Sequence, residues 1–212
     1  MGSCNDQLWS HGNDWHWRVL DNYVIMPITI NGSGTVTGIT GGLTSAAMPA
    51  GSALQTVSDI LDTAYNQTTS VTTTYTITGL AAAITLSNSA NKVLVQVSLK
   101  TAYAGAHNQM GWWLNRNTSS SDNAIARGAT DGSRTRVSGS SGYYTDSEKH
   151  IGSESLTFLD TPGATGPHTY NIQFNDPGGN SGEFYVNRPR GDADADNYVR
   201  GISTITLTEI AA

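Results

Sequence analysis

The sequence predicts an all-β protein, an extended N-terminal arm followed by a β-sandwich or jelly-roll domain. Three observations predict it. Residues 92–101 alternate, with Val93, Val95, Val97 and Leu99 pointing one way and Leu94, Gln96, Ser98 and Lys100 the other, the mark of a strand buried on one face. Near the C-terminus Ile202, Ile205, Leu207 and Ile210 interleave with Ser and Thr, and a strand so close to the last residue is expected to be clamped within a sheet. No stretch keeps a 3.6-residue apolar period long enough for a substantial helix.

Residues 1–25 stand apart. They hold Trp9, Trp15 and Trp17, three of the five tryptophans, together with His11 and His16. A second start-like point follows at Met26, so the segment is either an upstream extension or an aromatic anchor. A short aromatic segment without its own core gains order by docking on another chain, which makes Trp9, Trp15 and Trp17 candidate contact residues. Residues 26–52 alternate Ile, Val and Leu with Gly, Ser and Thr and include Gly32, Gly34, Gly38, Gly41 and Gly42. They read as an extended arm. Ile28, Ile30, Val36 and Ile39 are its contact candidates, because such an arm can add a strand to a neighbour's sheet edge.

The globular part is expected over residues 53–212. Its candidate strands are 53–60, 70–78, 82–86, 92–101, 109–115, 155–159, 168–175, 183–188 and 201–210, separated by turn sequences at 88–91, 161–163 and 176–180. Short strands with short turns suggest a sandwich or jelly roll. Residues 117–151 are rich in Ser, Gly, Asp and Arg and poor in apolar side chains. They read as a long functional loop on an exposed rim or at a subunit interface. Trp112 and Trp113 are adjacent in a strand, so they face opposite sides. One belongs to the core. The other is exposed, covered by the 117–151 loop or buried between subunits, and Trp113 is taken as a contact candidate. Tyr143 and Tyr144, within that loop, suit stacking on a carbohydrate or contact with a partner, with local packing as the alternative.

Only 13% of the residues are charged, the net charge is -6, and there are 23 Gly. Eleven Lys and Arg do not make the basic face that phosphate backbones need, so nucleic acid is not an expected partner. No apolar run reaches a membrane span of roughly 20 residues, and residues 1–25 lack the basic and apolar regions of a secretory leader. Cys4 is the single cysteine, which leaves no intrachain disulfide and no nucleophile setting.

No catalytic set is expected. Gly139-Ser140-Ser141-Gly142 lacks the strand–turn–helix context of a nucleophile elbow, and no phosphate-binding glycine motif is present. Asp192, Asp194 and Asp196 have the first, third and fifth spacing of an EF-hand loop, yet Asn197 and Ser203 stand where Gly and Glu are required. A looser Ca²⁺ site and a solvated acidic turn both remain, and neither a metal nor a cofactor is assigned. His11, His16 and Asp14 have no fixed geometry and read as packing or surface residues. Arg190-Gly191-Asp192 matches an adhesion tripeptide, which three common residues match by chance.

The run Met26-Pro27-Ile28-Thr29-Ile30-Asn31-Gly32-Ser33-Gly34-Thr35-Val36-Thr37-Gly38-Ile39 resembles the N-terminus of short fibre-like and decoration-like proteins of tailed bacteriophages, notably those of aquatic bacteria and cyanobacteria. The segments 49–57, 76–85, 91–95, 155–163, 168–172 and 203–210 look like the C-terminal domain of the same proteins. The likeness covers residues 26–212 and consists of strand and turn signatures. It implies a virion structural protein with a jelly-roll head, a homotrimer on the outer surface of the particle. Its partners would be the major capsid protein or other virion proteins, and copies of itself. Two roles follow: a capsid decoration or cement protein, preferred because the chain has no heptads or long repeats for a fibre shaft, and a short tail fibre or adhesin that recognises host surface glycans.

Overall fold

The computed structural model describes residues 48–70, 73–105, 109–117, 122–142, 148–177 and 181–212, and the strand backbone at 9–11, 14–16, 29–30 and 36–37. The chain divides into two compact units, Met1–Leu43 and Thr44–Ala212. Every regular element among the described residues is a strand.

In the N-terminal unit β1 (Trp9–His11) pairs antiparallel with β2 (Asp14–His16), and β3 (Thr29–Ile30) with β4 (Val36–Thr37). The expected extended arm thus folds back on itself here, Ile30 standing opposite Val36. Residues 44–52, read from sequence as part of the arm, belong with the second unit. Gly51 donates its N–H to the Ala211 carbonyl, and Ala211 donates to Ser52, both at 2.9 Å.

The second unit is a sandwich of two curled antiparallel sheets. One runs β5 (Ala53–Leu61), β15 (Ser203–Ile210), β8 (Lys92–Gly105), β14 (Gly182–Val186), β6 (Tyr65–Thr68), with β12 (Gly152–Asp160) on the other side of β8. The second runs β10 (Asp122–Ile125), β9 (Gln109–Asn117), β13 (Pro167–Asn175), β7 (Tyr75–Thr85), with β11 (Gly139–Gly142) also on β9. From β6 onward the chain changes sheet at most connections, the habit of a jelly roll.

Alternation in β8 is as the sequence predicts: Val93, Val95, Val97 and Leu99 are buried, and they pack with Ile205 and Leu207 of β15 and with Leu114, Tyr170, Ile172 and Phe174 of the facing sheet. Phe174 centres an aromatic cluster, its ring 4.4 Å from that of Phe184, 5.7 Å from Tyr75 and 6.5 Å from Tyr65. The strand closest to the C-terminus is clamped. β15 pairs with β5 on one side and β8 on the other.

Three expectations need correction. Segments 70–78 and 82–86 are one strand, β7. Gly79 (φ +84°) sits in a bulge where pairing with β13 slips between Asn171 and Gln173, and a glycine at positive φ absorbs the extra residues without ending the strand. Residues 65–68 form a strand, β6, that polar Tyr-Asn-Gln-Thr does not announce. The 117–151 segment is no bare loop, because β10 and β11 fold back on β9.

Candidate binding surface

Period two sends Met110, Trp112 and Leu114 of β9 into the core, so Gly111, Trp113, Asn115 and Asn117 face the other way. In β13 the buried set is Tyr170, Ile172 and Phe174, and Thr169, Asn171, Gln173 and Asn175 take the outer face. Register pairs Gly111 with Asn175, Trp113 with Gln173, Asn115 with Asn171 and Asn117 with Thr169. The outer face of this sheet is therefore one indole set among amides.

The Trp113 Nε1–H donates to Gln173 Oε1 at 3.1 Å. Asn115 Nδ2 donates to Asn171 Oδ1 at 3.1 Å and to Asn117 Oδ1. Trp112 lies in the core. Trp113 keeps 5% of its surface exposed, and the Arg127 guanidinium lies 5.9 Å from its ring centroid. Of the three fates open to the second tryptophan, cover by the 117–151 segment is the one observed. Trp113 thus offers little area to a partner. Tyr143, Tyr144, Trp17, Ile28 and Ile39 lie outside the described residues. Trp9, Trp15, Ile30 and Val36 are placed on the short strands of the N-terminal unit, their side chains outside the description.

Residues 126–138 are fastened over β9 by backbone geometry. Ala126 takes the left-handed φ of 53°. Ser138 Oγ donates to its carbonyl at 2.8 Å and accepts the Leu114 N–H at 3.1 Å, while Ser138 N–H donates to the Trp112 carbonyl at 2.8 Å. Two glycines permit the close approach. A Cβ on Gly111 would come within 2.6 Å of Val137 Cγ1, and one on Gly139 within 2.6 Å of the Trp112 ring. Beside Gly111 an open cleft of about 390 Å³ is lined by Gly111, Ser133, Arg134, Thr135, Val137, Ser140 and Pro177. Sequence reasoning missed it. The only signal was a Gly/Ser-rich stretch, and its register against β9 is a tertiary fact.

The carboxylate shared by the acidic and adhesion-like motifs is committed to ion pairs. Asp192 pairs with Arg188 at 3.1 Å and with Arg200, so the 192–196 trio does not converge. Among the described residues no group of three or more His, Cys, Asp or Glu is placed to hold a metal ion. The adhesion-like tripeptide is folded in: Arg190 pairs with Glu148 at 3.2 Å, and Gly191 N–H donates to the Glu148 carbonyl at 2.7 Å. Asp160 is gripped by Arg116 at 2.5 Å and by the Tyr170 hydroxyl at 2.7 Å. Burial first, then that carboxylate, pushes the Tyr170 phenol well up. Burial with the Asp176 contact does the same to Tyr103. Tyr185, buried beside Glu183, is pushed up to about 12. The Tyr170–Asp160 and Tyr103–Asp176 contacts join separate segments of the chain, whereas Tyr185 and Glu183 meet within β14.

No family model matches the sequence, and neither does any curated protein.

Proposed function

We propose that the chain is a structural protein of a phage particle, a decoration or cement protein that attaches to the shell through its N-terminal unit and presents the sandwich on the outer surface, as a homotrimer. One observation supports this reading: residues 1–43, which hold three of the five tryptophans, make up one compact unit, in which β1 pairs with β2 and β3 with β4, while residues 44–212 make up another whose last strand is paired on both sides. That division suits an attachment piece joined to a rigid head. Contact across capsomer boundaries would stabilise the shell by added buried area. The resemblance of residues 26–212 to phage proteins supports the same context. A trimer would also cover sheet edges that a lone sandwich leaves open.

The deciding experiment is the copy number of this chain per purified particle, by quantitative mass spectrometry against the major capsid protein. On the order of hundreds of copies in a simple ratio to the shell protein fits decoration. On the order of a few to a few tens fits the second reading, a tail-borne adhesin for host surface glycans. The open cleft beside Gly111 favours that second reading. Absence from the particle overturns both.

A further inference from the structure

The cleft beside Gly111 has unused hydrogen-bonding capacity. The hydroxyls of Ser133, Thr135 and Ser140 engage no partner among the described residues. Close by, Asn175 Oδ1 is shielded from solvent and accepts no hydrogen bond; it lies 3.6 Å from the position a Cβ on Gly111 would take. An orphaned buried acceptor is a group that a ligand donor or a trapped water must satisfy. Val137 and Pro177 add small apolar surface to the same walls.

We propose that this cleft binds a neutral saccharide unit. A sugar ring offers what the walls lack: several hydroxyls that both donate and accept, and C–H faces for Val137 and Pro177. A volume of about 390 Å³ falls at the lower end of small-ligand sites. An anion fits less well. Arg134 is the one charged residue in the lining, and Asp131 already holds it at 2.8 Å, so the rim carries no net positive charge. The absent Cβ of Gly111 lets Val137 settle against β9 and form one wall of the cleft. The inference goes beyond the attachment role and holds on a shell or on a tail, so the particle copy number and the cleft are tested separately.

The test is an NMR titration of the ¹⁵N-labelled full chain with the methyl glycosides of glucose, galactose and N-acetylglucosamine. The expected result is that at least one of them shifts the amides of Gly111, Thr135 and Ser140 with saturation on the order of 1 mM. Thr135→Val, at an exposed side chain, and Ser140→Val should each weaken that binding about fivefold. The proposal is overturned if none of the glycosides moves these amides at about 50 mM, if the shifts map to another surface, or if Thr135→Val binds like the parent chain.

Discussion

Asn187 shows how much a single side chain can hold. It is buried with φ 62°, a left-handed conformation that Asn tolerates and β-branched residues do not. Its Nδ2 donates to the Leu61 carbonyl at 2.6 Å and the Thr63 carbonyl at 3.1 Å, and its Oδ1 accepts from Ser203 Oγ at 2.6 Å. Asn187→Ala should lower stability by about 2–4 kcal/mol, since it strands two carbonyls and keeps the strained backbone. Asn187→Gly should recover the backbone part alone. Urea midpoints of the three proteins check this. Glu209 is the second such residue. Burial works to raise its pKa, but hydrogen bonds from Asn91, Gln55 and Ser87 outweigh that and hold it below the ordinary value of 4.5. The bonds from Asn91 and from Ser87 N–H and Oγ are each 2.7 Å, and that from Gln55 is 2.6 Å. A depressed carboxylate stabilises the fold above its unfolded pKa and loses that contribution as pH falls through the folded one. The thermal midpoint should therefore drop below pH 4.5, and Glu209→Gln should flatten this part of the profile while lowering the plateau near pH 7.

At the scale of the element, glycines decide which strands can lie together. Tyr103 lies over Gly105 and Gly182, and its hydroxyl donates to Asp176 Oδ2 at 2.5 Å. A Cβ on Gly182 would stand 2.7 Å from the Tyr103 ring and 2.8 Å from the Ala104 carbonyl. Gly182→Ala must therefore push β14 off β8 or evict Tyr103, at a cost of about 1–3 kcal/mol. The effect is read as a lower denaturation midpoint with altered near-ultraviolet dichroism. Adding Tyr103→Phe should not restore stability, because the backbone contact remains and the hydrogen bond from the Tyr103 hydroxyl to Asp176 is lost. Gly139 and Gly111 play the same part in β11 and β9, where they let the 126–138 segment settle on the sheet.

At the scale of the whole molecule, the division into two units makes a direct prediction. A protein of residues 44–212 should fold alone, with a thermal midpoint close to that of the full chain, since β5, β8 and β15 close the sandwich without residues 1–43. On the proposed reading that fragment should also fail to attach to particles. Differential scanning calorimetry and co-sedimentation with stripped particles measure the two parts independently. Full attachment of the fragment would remove the anchor role from the N-terminal unit.

The sequence by itself determined the fold class and the inward faces of the main strands. Val93 to Leu99 and Ile205 to Leu207 alternate because one face of a sheet must leave water, and that demand is written residue by residue. Turn chemistry was legible for the same local reason. Tertiary structure alone decided the rest. Tyr75 to Thr85 is continuous because Gly79 bulges within a pairing set by β13. The Ser/Gly-rich 139–142 becomes a strand because β9 offers it an edge, where main-chain bonds suffice and no apolar pattern is needed. Trp113 is covered because residues 126–138 fold back over it. The cleft arises from Gly111, Ser140 and Pro177, which lie far apart in sequence and meet only through strand register. Local patterns record burial, whereas a site records which distant segments burial brings together.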